Sequence, residues 1–343
     1  MKKKEVTIYD LAKELNFSPS TISRALNNHK SIGKKTTKEV QKTAARLGYR
    51  PNTLAASLRS NKSKTIGIMI ARINSPFMST LISGIEDAAR RGNYNVLISQ
   101  SNESYENEVN NAKALYDSRV GGLIVSLAME TKDTSHFKQF LEKNIPVVFV
   151  DRVPKEFNSY RVIIDNYAAG YRAAKHLIEQ GCTRIAHFAG AQHVEVYKLR
   201  KKGYVDALQE SGLEVDESLI IKLKTLSLEE GSEAMENLLN MERPPNGLFS
   251  ANDTAAVGAI LLAKQKGIRI PQDLAIIGFN DDPVTSIVEP SLSTVSHPAR
   301  KMGELSAQKI LEHSRDNLGS SISEITMLDT EVIVRDSSRR KPS

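Results

Sequence analysis

Residues 6–27 read VTIYDLAKELNFSPSTISRALN, and the fold of the amino-terminal part is decided there. Thr7 and Asp10 stand three apart, like a capping box with Asp in place of the usual Glu. Ile8, Leu11, Ala12 and Leu15 follow at i, i+3, i+4 and i+7, so one face of a short helix is apolar. Asn16-Phe17 breaks the pattern. Ser18 is a good N-cap and Pro19 suits the first helical position, which starts a second helix over 19–26. Ile22, Ala25 and Leu26 then point inward, and Ser20, Thr21, Ser23 and Arg24 outward. A third helix is expected from about Thr36 to Leu47, with Val40, Ala44 and Leu47 on one face and Gly48 as its left-handed stop. Two short helices joined by a tight turn, then a third, make a helix-turn-helix. The outward face of the second helix carries small hydroxyls and one guanidinium. Hydroxyls bond phosphates or base edges, and Arg forks onto guanine. On outline alone, a small helical bundle with a polar face fits too.

Charge separates this segment from the rest. The 343-residue chain has a formal net charge of +7. Residues 1–64 hold fifteen Lys/Arg against four Asp/Glu, so the remainder is mildly acidic. A short basic domain on an acidic body points to a polyanion partner for the first part and another task for the rest. Hydrophobic residues at 40% leave room for a sizeable core without disulfide or structural metal. The single cysteine, Cys182, excludes an internal disulfide and Cys-rich zinc sites. No apolar run approaches the ~20 residues of a membrane span. No apolar stretch follows Met1-Lys2-Lys3-Lys4, so a secretory signal is not expected; the expected location is cytoplasmic, away from membranes.

Val6 to Ala12, Ser18 to Asn27, Leu47-Gly48-Tyr49-Arg50-Pro51-Asn52 and Leu54-Ala55-Ala56-Ser57-Leu58-Arg59 closely resemble the headpiece of the LacI/GalR (lactose-repressor) family. The resemblance implies that Pro19, Ser20 and Arg24 read bases, Pro19 by apolar contact alone. Thr7, Ser18, Thr21, Ser23 and Asn27 match positions that hold phosphates. Tyr49, Asn52, Ala55 and Leu58 complete the implied DNA-binding set. Residues 53–59 resemble a hinge helix that orders on the operator and wedges Leu58 between base steps in the minor groove. Gly33 stands where the family often has a Ser or Thr cap, which implies a looser start for the third helix.

From residue 65 the pattern becomes alternating strands and helices. Apolar strands are expected at 66–70, 96–98, 122–125 and 147–150, and a second series at 162–164, 185–188, 248–250 and 275–278, with helices between. Continuous apolar runs between helices argue for parallel sheets covered on both faces. The expected fold class is thus α/β: a helix-turn-helix headpiece plus a body of two doubly wound parallel-sheet halves, which resembles the type I periplasmic-binding-protein fold. The expected divisions are 1–52 for the headpiece, 53–64 for hinge helix and linker, 65–163 with 296–322 for the first half, and 164–295 with 323–343 for the second.

Ligands in such sheets lie beyond the carboxyl ends of the strands. Arg200 is spaced Arg-x-x-Gly-aromatic with Gly203 and Tyr204, and the resemblance implies that it binds the effector. It also implies that Phe77, Asp151, Asp165, Asn252 and Asn280 line the same cleft, although Asn280 departs from the common Asp. Sugar hydroxyls donate to carboxylates and accept from Arg and Asn, so a sugar is the expected effector. A phosphorylated effector would call on Arg72 or Arg152. Asp151, Asp165 and Asn252 also suit plain capping, and Phe279 suits either core or a sugar face.

Signals for catalysis fail. Gly33-Lys34-Lys35-Thr36 lacks the Gly of a P-loop, and no Gly-x-Ser-x-Gly elbow or His-x-x-x-His pair occurs. His187 reads as a core histidine and Cys182 as inert. No enzyme activity, cofactor or metal is expected. The expected function is a sequence-specific DNA-binding regulator of repressor type. It acts as a homodimer on a near-palindromic double-stranded operator, under control of a sugar bound between the two halves. The alternatives are a phosphorylated sugar or nucleobase effector, an activator, a tethered enzyme, and a sugar transport protein.

Overall fold

The computed structural model describes residues 6–49, 63–316, 319 and 323–340. The chain divides into two compact units, residues 1–63 and 64–343. Among the described residues no helix is long and apolar enough to cross a membrane.

The first unit contains α1 (Ile8–Leu15), α2 (Pro19–Leu26) and α3 (Lys34–Leu47). Both halves of the capping box form: Asp10 N donates to Thr7 Oγ1 at 3.3 Å, and Thr7 N donates to Asp10 Oδ2 at 2.8 Å. α1 stops because Asn16 turns left-handed at φ 56°, which Asn tolerates better than most residues. Ser18 Oγ then accepts from Thr21 N and caps α2. Leu11, Ala12, Ile22, Ala25, Val40 and Ala44 close the core. α3 starts two residues earlier than expected, on Gly33, which gives it no side-chain cap. Asn52, Ala55, Leu58 and the expected hinge helix lie outside the described residues.

The second unit contains two parallel sheets. The first has six strands in the order β11 (Glu324–Leu328), β5 (Tyr160–Ile164), β4 (Val147–Val150), β3 (Gly122–Val125), β1 (Thr65–Ile70) and β2 (Asn95–Gln100). The second has four, β7 (Ile220–Lys222), β6 (Ile185–Ala189), β8 (Gly247–Ser250) and β9 (Ala275–Ile277). β10 (Thr294–Val295) and β12 (Val332–Ile333) form an antiparallel pair beside the second sheet.

The chain passes between halves after β5, between β10 and α11 (Ala299–Asp316), and between β11 and β12. Two expectations are corrected here. Val162-Ile163-Ile164 does not open the second series; it belongs to β5, which pairs with β4 in the first sheet. Nor do residues 323–343 lie wholly in the second half, since 324–328 pair with β5 as β11. A short apolar strand fits either sheet, and the choice rests on long-range pairing. The polar tail is also built in: Ser337 Oγ donates to Ile276 O at 2.6 Å, and Ser338 Oγ meets His176 Nε2 at 2.7 Å.

Helices cover both faces of the sheets. They are α4 (Pro76–Arg91), α5 (Tyr105–Asp117), α6 (Lys138–Glu142), α7 (Asn166–Glu179), α8 (Glu195–Glu210), α9 (Leu228–Leu239), α10 (Asp253–Gln265) and α11. α7 and α8 lie close together, as do α4 with α11 and α9 with α10. A Cβ at Gly203 would collide with the Tyr167 carbonyl and the Tyr171 amide, and one at Gly170 with the Arg200 backbone. This close approach explains the glycine of Arg-x-x-Gly-aromatic. The aromatic, Tyr204, is fully buried and donates its hydroxyl to Ile185 O at 2.7 Å.

Candidate functional site

In the headpiece, α2 presents Pro19, Ser20 and Arg24 as exposed, with Thr21 and Ser23 half-buried. Ser18 Oγ lies 2.8 Å from Ser20 Oγ and 2.9 Å from Thr21 Oγ1, so three hydroxyls form one cluster at the start of α2. Asn27 Nδ2 donates to Ser23 O, which anchors it beside the other end of α2. Thr7 spends its hydroxyl on Asp10 as part of the α1 cap. Tyr49 is half-buried against the small core. The basic side chains Lys13, Lys34, Lys35, Lys38 and Lys42 are exposed. This surface combines a hydrogen-bonding helix that carries one guanidinium with surrounding cations, and so suits a groove flanked by phosphates.

In the body, a cavity of about 330 Å³ opens beyond the carboxyl ends of the strands and draws its lining from both halves. Phe77, Asp151, Arg200, Asn252 and Asn280 all line it. Phe77 comes from the first turn of α4, Asp151 follows β4, Arg200 rides on α8, Asn252 caps α10, and Asn280 follows β9. Asp165 is the exception and is corrected. It is exposed, absent from the lining, and its Oδ1 accepts from Ala168 N to cap α7. Its neighbour Asn166 is buried and accepts from Arg200 Nε.

Arg200 is buried and held on three sides. Nε donates to Asn166 Oδ1 at 2.8 Å and Nη1 to Ala251 O at 2.8 Å, while the guanidinium lies 3.6 Å from the centre of the Phe279 ring. Phe279 therefore supports Arg200 from below. Nη2 has no hydrogen-bond partner among the described residues. Burial lowers the Arg200 pKa to about 10, so the group stays charged at neutral pH.

Asp151 adopts a left-handed backbone, φ 62°. Its carboxylate stands 3.9 Å from Arg152 Nε and 3.8 Å from His297 Nε2, yet makes no hydrogen bond among the described residues. Burial pushes its pKa up, against the pull of Arg152 and Arg200. Arg152 is already committed: Nη1 and Nη2 fork onto Glu103 at 2.7 and 3.0 Å. Burial pushes Glu103 upward, but the Arg152 fork outweighs it and leaves the carboxyl below its usual range. Arg152 is thus not the free phosphate cation the sequence suggested.

Asn252 lines the cleft with both ends of its amide in use. Oδ1 accepts from Ala255 N and Nδ2 donates to Leu226 O. Among the lining residues that the sequence reading did not single out are Glu103, Tyr197 and His297. Glu103 and His297 lie in connections between elements, and Tyr197 is one turn before Arg200. The last spacing was the one available clue. His187 is stacked between Tyr204 and Phe249, and Nδ1 meets Phe249 O at 2.9 Å. Cys182 is buried, with its thiol pushed up to about 11, so it is inert. Among the described residues no group of three or more His, Cys, Asp or Glu is placed to hold a metal ion.

Comparison with known proteins finds matches for both units of the chain. Residues 7–52 match the model for bacterial regulatory proteins of the lacI family, and residues 174–338 the periplasmic binding protein-like domain. The HTH-type transcriptional repressor CytR of Escherichia coli (strain K12) is 32% identical over 338 residues, covering 98% of this chain and 97% of that protein. The structure titled "transcriptional regulator CelR-cellobiose complex" superposes with a TM-score of 0.71 at 25% identity, over 97% of this chain and 100% of that one. The lac repressor dimer bound to operator and the anti-inducer ONPF superposes at 0.86 with 24% identity, over 98% of this chain and 99% of the other, a likeness of fold. The chain belongs to the lacI family of bacterial regulatory proteins, and it is a DNA-binding transcriptional regulator with an effector-binding body rather than an enzyme.

Proposed function

We propose that this regulator is a homodimeric repressor whose hold on a near-palindromic operator is set by a neutral, hydroxyl-rich effector, a sugar, bound in the cleft between the halves of the body. One observation carries the effector class. The Asp151 carboxylate and Arg200 Nη2, both without hydrogen-bond partners among the described residues, line the same cavity. An acceptor and a donor set together suit hydroxyls, which act as both. The cleft floor is electrically balanced, because Arg152 is matched by Glu103 and Arg200 by Asp151. A net-neutral floor favours an uncharged ligand, and a sugar is also what the CelR structure carries. For DNA, we assign base reading to Pro19, Ser20 and Arg24, and phosphate contact to Thr7, Ser18, Thr21, Ser23 and Asn27. The homodimer fits β2, an edge strand that leaves Leu97 and Ile98 exposed.

The test is a thermal-shift screen of the full chain against neutral sugars, sugar phosphates, nucleosides and free bases. A neutral sugar at about 100 times its Kd is expected to stabilise the protein by about 2.7 kcal/mol. A selective response to sugar phosphates would overturn the neutral-effector reading. Arg72 and Lys224, exposed at the rim, are the observation that favours that second reading.

A further inference from the structure

His297 lies in the crossover from β10 to α11 and touches both halves of the body. Its ring centre is 4.1 Å from that of Phe77 in the first half and 5.8 Å, edge-on, from that of Phe279 in the second. Nδ1 is 3.2 Å from Asn280 Oδ1, and Nε2 is 3.8 Å from Asp151 Oδ1. The cleft residues it meets come from both halves, Phe77 and Asp151 from the first and Asn280 from the second.

The tautomer follows from the neighbours. Asn280 turns its Oδ1 towards the imidazole, 3.2 Å from Nδ1. An amide oxygen only accepts, so the hydrogen of a neutral ring sits on Nδ1. Nε2 is then a bare lone pair, and it is buried without a hydrogen-bond partner. It faces a carboxylate oxygen, also an acceptor. A second proton on the ring would reconcile them, but burial and the nearby Arg200 hold the imidazole well below its ordinary pKa, and a proton on Asp151, which burial favours, is opposed by Arg152 and Arg200. The charged groups around the ring are Asp151 at the end of β4, with Arg152 beside it, and Arg200 on α8.

Resting on the neutral-effector reading, we propose that His297 is the positioning residue that sets the hydrogen-bond polarity of the cleft. Locked by Asn280, it denies Asp151 a donor from the protein, so the effector supplies an O–H or N–H there. The same ring ties this demand to the crossover between the halves, so a filled Asp151 site bears directly on the hinge region.

The deciding experiment needs no effector. The full chain is labelled with 15N-histidine, and the His297 signals are identified by their loss in His297→Gln. At neutral pH a singly protonated ring with its hydrogen on Nδ1 is expected, titrating well below the ordinary histidine range. In Asn280→Asp, a carboxylate beside Nδ1 favours the second proton, and the ring titrates at higher pH than in wild type. A hydrogen on Nε2 in the wild-type protein, or an unmoved titration in Asn280→Asp, overturns the proposal. A failed sugar screen touches neither result, so the two readings fail separately. The binding arm uses whichever neutral sugar raised the Tm. Its affinity is expected to fall about tenfold in His297→Gln, whose amide N–H can fill Asp151 in the effector's place. Unchanged affinity overturns the positioning role.

Discussion

At the residue scale, buried polar groups decide what this protein can bind and what it can survive. His187 is fully buried and its pKa is lowered to about 4, chiefly by desolvation. In the unfolded chain the same ring titrates near its ordinary value of 6.5. Above that pH both states are neutral and the group has no effect. As pH falls from 6.5 towards 4 the unfolded state gains the proton first, so stability is lost, by roughly 3 kcal/mol in all. His187→Phe keeps an aromatic ring between Tyr204 and Phe249 and removes the titration. Urea unfolding at pH 7 and pH 4 is expected to show the variant gaining on wild type by about that amount. An equal acid loss in both proteins would falsify the assignment. Arg24 is the one charged residue of α2 and is exposed. Arg24→Ala is expected to lose about 1–3 kcal/mol on the specific operator and much less on random duplex, measured by fluorescence anisotropy at fixed salt. Equal losses on both would remove it from base reading.

At the element scale, the headpiece helices were legible because their controlling bonds are local. Thr7 to Asp10 and Ser18 to Thr21 each span three residues, and each cap could be read directly. α3 shows what a missing cap leaves open. Gly33 has φ −64° and ψ 146°, close to the −67° and 148° of the working cap Ser18. Nothing lies within 4 Å of where its Cβ would stand. Gly33→Ser is therefore expected to stabilise the headpiece by about 0.5–1 kcal/mol, through a new cap and a less flexible unfolded chain. Circular dichroism melting checks this, and no rise in the headpiece transition would mean that the serine does not cap. In the body, placement just after a strand drew attention to Asp151, Asn252 and Asn280, which line the cavity. It misled for Asp165, whose carboxylate turned to the amide of its own helix instead. Strand-end position puts a residue near the cleft, and local capping competition decides where its side chain goes.

At the scale of the whole molecule, the dimer reading makes its own claim. Leu97 and Ile98 on β2 are each 40% exposed, adjacent, and so directed to opposite faces of an edge strand. Leu97→Glu is expected to shift the protein from dimer to monomer in sedimentation equilibrium and to abolish tight operator binding, because each monomer then holds one half-site. A dimer that persists in the variant would move the interface elsewhere. The family resemblance singled out Arg200, which lines the cavity, and the sequence by itself determined the helix-turn-helix and the alternation of strands and helices. Those depend on spacing, caps and apolar periodicity within a few residues. Only the tertiary structure decided which sheet receives residues 160–164 and 324–328, because an apolar strand carries no label for its partner. The same holds for the environment of Arg200. Its supports, Asn166 and the Ala251 carbonyl, are 34 and 51 residues away, and the imidazole that sets the polarity of the cleft arrives from position 297. Long-range contacts bring these groups together, and no local pattern along the chain records that they will meet.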